Sequence, residues 1–318
     1  MGVLNHLLVD YLSGTAVSAM TDEEIFNEFT SAADLGLRMD INKASPWLRN
    51  RLNAAASYAR SLIRNAAAAA PKMPPIHFYW IENDNINACA FLHQGKYFIG
   101  VNAGAVLYLH SLFSRMLSNP RVLPKVGDVS KEEEARVPPL AIQLGRGNLH
   151  ASGFVPIIPK DPDRQFYYEF LYHLSMGFIV SHEITHLIHG HIAYMEVRCG
   201  HCGISERGWK KGEPEPALTS QTLEMDADMG AAVAQAGTVM RPVMDPAQRP
   251  SGELGRFYQT PAEAMFHFAF GICPFFRMFG DSRIRGHYVI LDICTEGGFS
   301  SRPWRANFGS RRREGFTT

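Results

Sequence analysis

The chain reads as an α+β protein dominated by helix, and three observations carry that reading. Of its 318 residues 46% are apolar and 19% charged, which suits a globular protein with ample core. A single β-rich block, between residues 76 and 101, is flanked on both sides by stretches of helical periodicity. The longest apolar run, Phe166 to Ile192, places Tyr167, Phe170, Leu171, Leu174, Phe178, Val180 and Ile184 nearly all round a helix, the pattern of a buried one.

Taken in order, residues 1–70 read as helical. Thr21-Asp22-Glu23-Glu24 is an N-terminal capping pattern ahead of Ile25 and Phe26. Leu48, Leu52, Ala55, Ala56, Ala59 and Ile63 recur at helical spacing within the Ala- and Arg-rich stretch Trp47 to Ala70, which Pro71 and the Pro74-Pro75 linker end. Ile76 to Ile81 reads as a strand closing on the turn cluster Glu82-Asn83-Asp84-Asn85. Ile86 to Leu92 and Lys96 to Val101 flank His93-Gln94-Gly95, a hairpin signal, and a helix over Ala105 to Leu117 follows. A long irregular connection, about residues 119–164, contains Lys131-Glu132-Glu133-Glu134; such length usually goes with function or mobility. After a polar loop from Gly203 to Pro216, a helix holds Leu223, Met225, Ala227, Met229, Ala232 and Val233. Pro242, Pro246 and Pro250 read as a linker before helical segments near Ala262–Phe279 and Arg283–Cys294. The organisation expected is an N-terminal helical extension (1–75), one main domain (76–295) and a polar basic tail (296–318).

Net charge is zero, so overall charge points to no nucleic-acid or membrane-surface partner. The basic stretch Arg305 to Arg313 reads as a solvated end. Met1 to His6 lacks the basic and apolar parts of a secretion signal, and no run reaches eighteen apolar residues, so no membrane anchor is expected. Five cysteines, odd and few, suggest reduced thiols and a cytoplasmic location.

The chemistry concentrates in His182-Glu183-Ile184-Thr185-His186, inside the apolar run. On a helix, residues i and i+4 lie on one face a turn apart, so both imidazoles can grip one metal ion. Glu183 projects beside them, where a carboxylate can deprotonate a water on that metal. Buried charge is costly unless paired, and zinc supplies the partner. Glu224, in the second helical stretch, offers a third ligand; two His and one Glu with an open fourth position is the ligand set of one catalytic zinc. Asp226 is a weaker competitor, offset by two residues towards the opposite face. His189 shares a face with His182 and His186 but lies about 10 Å along the axis from His182, so it and His191 are read as cleft or packing residues. Cys199-Gly200-His201-Cys202 has disulfide-isomerase spacing in the wrong context; free thiols, or a second metal site using His201, are the readings it leaves.

His182-Glu183-x-x-His186 followed by Glu224-x-x-Ala227-Asp228 resembles the gluzincin metallopeptidases, with HtpX-like peptidases and the phage-exclusion peptidase Lit the nearest patterns. Leu187-Ile188-His189-Gly190-His191 is similar to the continuation of the HtpX metal helix. Asn87-Ala88-Cys89-Ala90, with Gly95 and Phe98-Ile99-Gly100-Val101, resembles its edge hairpin. The likeness covers roughly residues 76–236. A metzincin would need Gly at 189 and His at 192, where this chain has His189 and Ile192.

The resemblance implies a zincin-like domain with a small edge sheet and a metal-binding helix, acting as a zinc endopeptidase on a peptide or protein substrate. His182, His186 and Glu224 would bind zinc, Glu183 would be general base and then acid, and Asp228 would accept a hydrogen bond from a ligating imidazole. An extended peptide would pair with the edge at Asn87, Ala88, Cys89 and Ala90. The family's His-Pro element before an Arg is only half matched: Arg283-Ile284-Arg285 resembles its end, but Phe279-Gly280 stand where His-Pro is expected. The oxyanion donor is therefore open among Tyr258, His267, Arg283 and His287. Two rivals stand beside the peptidase: a catalytically silent zinc-binding scaffold, and a redox or structural-metal protein built on Cys199 and Cys202.

Overall fold

A computed structural model describes residues 20–133, 157–199, 203–205 and 214–280. Within them a small mixed sheet leans on a set of helices arranged about one long, buried helix. Helix α1 (Asp22–Ala32) starts at Thr21, whose side chain and that of Glu24 form the reciprocal capping box that the spacing predicts. Helix α2 (Pro46–Ala69) is capped by Ser45 with Pro46 in its first turn, and it buries Leu48, Leu52, Ala55, Ala56, Ala59 and Ile63.

Strand β1 (Ile76–Ile81) precedes a hairpin of β2 (Ala88–His93) and β3 (Lys96–Asn102), joined by Gln94 and Gly95, both at positive φ (47° and 74°), which a two-residue turn of this hand demands. β1 runs parallel to β3, and β2 antiparallel to it. A short fourth strand, β4 (Gly203–Ser205), pairs antiparallel with β2, giving the order β1-β3-β2-β4. Both faces of the sheet are covered. Ile81, Cys89, Phe91 and Phe98 pack under Ile25 and Phe26 of α1, whereas Phe78, Trp80, Ala88, Ala90, Ile99 and Val101 join the main core. The alternation of faces along β2 follows from its period of two.

Helix α3 (Ala103–Ser118) leads to α4 (Pro162–Ile188), which is 27 residues and about 40 Å long and carries the metal motif near its C-terminal end. It packs against α2, α3, the sheet, α6 (Pro214–Met244) and α7 (Pro261–Gly280), which is why it is apolar all round. Helix α2, expected as part of an extension, contributes to this same core. No helix among the described residues is long and apolar enough to cross a membrane.

Of the irregular connection expected over residues 119–164, residues 119–133 hold only a 3-10 turn at Val129–Lys131, and α4 already begins at Pro162. Residues 119–133 wrap around Arg164, fully buried in the first turn of α4. Its guanidinium donates to the carbonyls of Leu117, Asn119, Val122, Leu123 and Val126. Glu132, in the charged run Lys131-Glu132-Glu133-Glu134, is buried and accepts from the backbone N–H of Lys160 and Asp161. The proline linker also begins later than expected: α6 continues to Met244 with Pro242 in its last turn. Residues 134–156 and the segment Arg283–Cys294 lie outside the described residues.

Candidate metal centre

His182, Glu183 and His186 sit in the last two turns of α4 and are only 4%, 2% and 1% exposed. Carbonyl groups at this end of the helix carry partial negative charge, which favours a cation beside them. Helix α6 lies along α4 and brings Glu224 to the same point. The approach depends on Gly230: a Cβ there would stand 2.5 Å from Thr185 Cγ2. His182 Nε2, His186 Nε2 and Glu224 Oε2 form a triangle with edges of 2.9, 3.1 and 3.7 Å. A point equidistant from the three is about 1.9 Å from each, against roughly 2.0–2.2 Å for zinc bonded to nitrogen or carboxylate oxygen. The other Glu224 oxygen, Oε1, is buried with no hydrogen-bond partner among the described residues. These residues form a group able to hold a metal ion.

The lone pairs that such an ion needs are aimed inward by two further carboxylates. Asp228 Oδ1 lies 3.0 Å from His182 Nδ1. An ionised carboxylate only accepts, so Nδ1 carries the proton and Nε2 faces the centre with its lone pair. On the other ligand the arrangement has one more link. His191 Nε2 donates to Asp226 Oδ2 (2.9 Å), which leaves His191 Nδ1 to accept from His186 Nδ1 at 2.9 Å and turns His186 Nε2 inward. Two imidazole lone pairs and a carboxylate oxygen thus converge. Without an ion, ring hydrogens of His182 and His186 can turn to Glu224 instead: burial pushes its carboxyl up, but those hydrogen bonds outweigh it and hold the group down at about 2. His186 is shifted below the usual imidazole range, chiefly by burial. Both shifts favour the deprotonated forms of His186 and Glu224.

Glu183, the residue after the first of these histidines, is buried on the same helix. Burial first, and the Glu183 carboxylate second, push the Cys89 thiol upward, which puts Glu183 near β2. The cleft in front of the centre, about 250 Å³, is lined by Phe178, Ile179, His182, Glu224, Asp228, Phe275 and Phe276.

Other sequence expectations fare differently. β2 is not an edge strand: Cys89 and Ala90 pair with Ser205 and Ile204 of β4, because the chain returns from the metal helix to cover them. Ala88 and Ala90 face the core that α4 shares, while Cys89 belongs to the opposite face under α1. Among the described residues, β4 pairs with neither Asn87 nor Ala88. Tyr258 and His267 do not reach the centre. His267 bonds Tyr167 Oη at 2.6 Å, fifteen residues before His182 on α4 and therefore about 22 Å along its axis. Arg283, His287 and Cys202 lie outside the described residues, as does the Cys199 side chain at the end of α5 (His191–Cys199).

The link through His191 escaped sequence reasoning because His189 and His191 were placed on a continuous metal helix. The helix instead stops at Ile188, Gly190 takes φ 74°, and α5 sets off from His191 in a new direction that folds its ring back on His186. Gly190 in the C-terminal capping position was the available signal. Comparison with family models, with curated proteins and with solved structures finds no match to this chain, so its own geometry is what speaks for the site.

Proposed function

We propose that the protein is a zinc-dependent endopeptidase. The observation that carries this reading is a buried carboxylate, Glu183, one residue after the first of three converging metal-ligand side chains. His182, His186 and Glu224 would hold the ion, two imidazoles and one carboxylate being a set that suits zinc. Bound there, zinc supplies a Lewis acid that polarises a carbonyl and makes a water acidic enough to lose its proton near neutral pH. Glu183 takes the proton from the attacking water and later returns it to the leaving amine. Asp228 keeps the His182 ring in one tautomer and orientation throughout. Phe178, Ile179, Phe275 and Phe276 give the cleft an apolar wall, which favours an apolar side chain next to the scissile bond. Backbone pairing by an extended substrate would use Asn87 and Ala88, the two expected positions with which β4 makes no pair among the described residues.

A silent metal-binding scaffold would need the ligands but not Glu183, so one substitution separates the two. Glu183→Gln keeps shape and hydrogen bonding but cannot accept the proton. It should retain bound zinc while hydrolysis of a peptide library falls by about 10²–10⁴. Undiminished hydrolysis by the zinc-loaded variant would remove Glu183 from the mechanism.

A further inference from the structure

A second group of metal-ligand side chains adjoins the first and shares no atom with it. Asp226 Oδ2 is 2.5 Å from His189 Nδ1 and 2.9 Å from His191 Nε2, and the three donor atoms all lie within 4.8 Å of one another. They arrive from three places: the C-terminal cap of α4, the first residue of α5 and the helix α6 that also carries Glu224. The His189 and Asp226 side chains are 45% and 49% exposed, so an ion reaches them from solvent without passing the buried centre, while His191 is 6% exposed and bonded on both ring nitrogens.

We propose that His189, His191 and Asp226 form a second, exchangeable site for a divalent transition ion, coupled to the buried centre through the His191–His186 contact. Two imidazoles and one carboxylate select borderline ions such as zinc over magnesium or calcium, which favour all-oxygen surroundings. The coupling follows from counting hydrogens. The 2.9 Å contact between His186 Nδ1 and His191 Nδ1 needs one donor and one acceptor. With only the buried ion bound, His186 donates and His191 accepts, because the His191 hydrogen sits on Nε2 and is given to Asp226. An ion at the second site takes both Nε2 and Asp226 Oδ2. The neutral His191 ring must then carry its hydrogen on Nδ1, facing the one on His186, and the hydrogen bond is lost. Loss of such an outer partner typically costs 10–100-fold in metal affinity, and the effect is reciprocal, so each ion weakens the other. The second site is thus built to fill only when zinc is abundant, and to loosen the first when it does.

The test is equilibrium dialysis of the full chain against graded, buffered free zinc, followed by metal analysis. Wild type should bind two equivalents, in steps separated by at least about tenfold in zinc concentration. His189→Ala touches neither the buried ligands nor the His191–His186 contact, and it should bind one equivalent at the first step only. A Cys199→Ser, Cys202→Ser variant should still bind two. Saturation of wild type at one equivalent that His182→Ala abolishes would overturn the second site and leave the buried centre standing. A single equivalent that survives His182→Ala but not His189→Ala would uphold the second site and sink the peptidase reading instead. Persistence of the second equivalent in His189→Ala, or its loss with the cysteines, would overturn the proposal.

Discussion

Replacing Gly230 by alanine probes how α6 delivers Glu224 to the histidine pair at the C-terminal end of α4. At an open position in a helix this change gains about 0.8–1 kcal/mol, since glycine is the poorer helix former. Here the new methyl would stand 2.5 Å from Thr185 Cγ2 and 2.7 Å from Thr185 Oγ1, roughly 0.9 Å inside ordinary contact. Overpacking of this kind typically costs 1–3 kcal/mol, so the net expectation lies between no change and a loss of about 2 kcal/mol. The helices can relieve the clash by separating, which carries Glu224, six residues or about 9 Å further along α6, away from His182 and His186. Urea unfolding of the metal-free protein measures the first effect, and zinc competition with a chelator the second. Thr185→Ala removes both offending atoms and leaves Cβ at 3.2 Å, so the double variant should recover at least about 1 kcal/mol relative to the sum of the single changes, together with zinc affinity. If Gly230→Ala instead stabilises the protein by the open-helix amount and binds zinc normally, close packing at Gly230 does not position the third ligand.

Three further outcomes follow from the same contacts. Glu224→Ala should abolish tight zinc binding, whereas Asp228→Asn should weaken it about 10–100-fold; equal affinity in the two would place the third ligand elsewhere. Arg164→Met strips the donors from five carbonyls between Leu117 and Val126 and should cost on the order of 3–5 kcal/mol by urea unfolding, with a loss under 1 kcal/mol refuting the role of Arg164 as the anchor of residues 119–133. Metal-free stability should depend on pH in a definite direction. His186 and His191 are lowered by burial from 6.5 and Glu224 is lowered by its hydrogen bonds from 4.5 to about 2, so the unfolded chain binds more protons at each step. Stability should be full above pH 6.5, fall as the pH drops below it, and fall again between 4.5 and 2. A flat or opposite profile from pH 7 to 5 in unfolding titrations would contradict the burial of these rings.

Local and periodic signals account for most of what could be read without coordinates. Thr21 and Glu24 specify the start of α1 because a capping box is satisfied within four residues. The six buried positions of α2, and the strand from Ile76 to Ile81, follow from side-chain period alone. The pairing of His182 with His186 was legible for the same reason: i and i+4 must share a helical face. Glu224 as a third ligand was suggested by the order of two motifs, but its distance from His182 depends on how closely two helices pack, which a glycine at 230 and a threonine at 185 decide across 45 residues of chain. The same holds for Arg164, whose five acceptors are carbonyls of a segment that has no periodicity to read. Strand β4 removes β2 from the sheet edge through a pairing between residues more than a hundred positions apart, and three residues of strand leave no sequence signature of their own. Asp226 looked misplaced as a ligand because periodicity set it on the wrong face of α6 for the first site. The turn at Gly190 puts His189 and His191 against that very face. Periodicity governs which side chains leave an element together; only the packing of one element on another decides which of them meet.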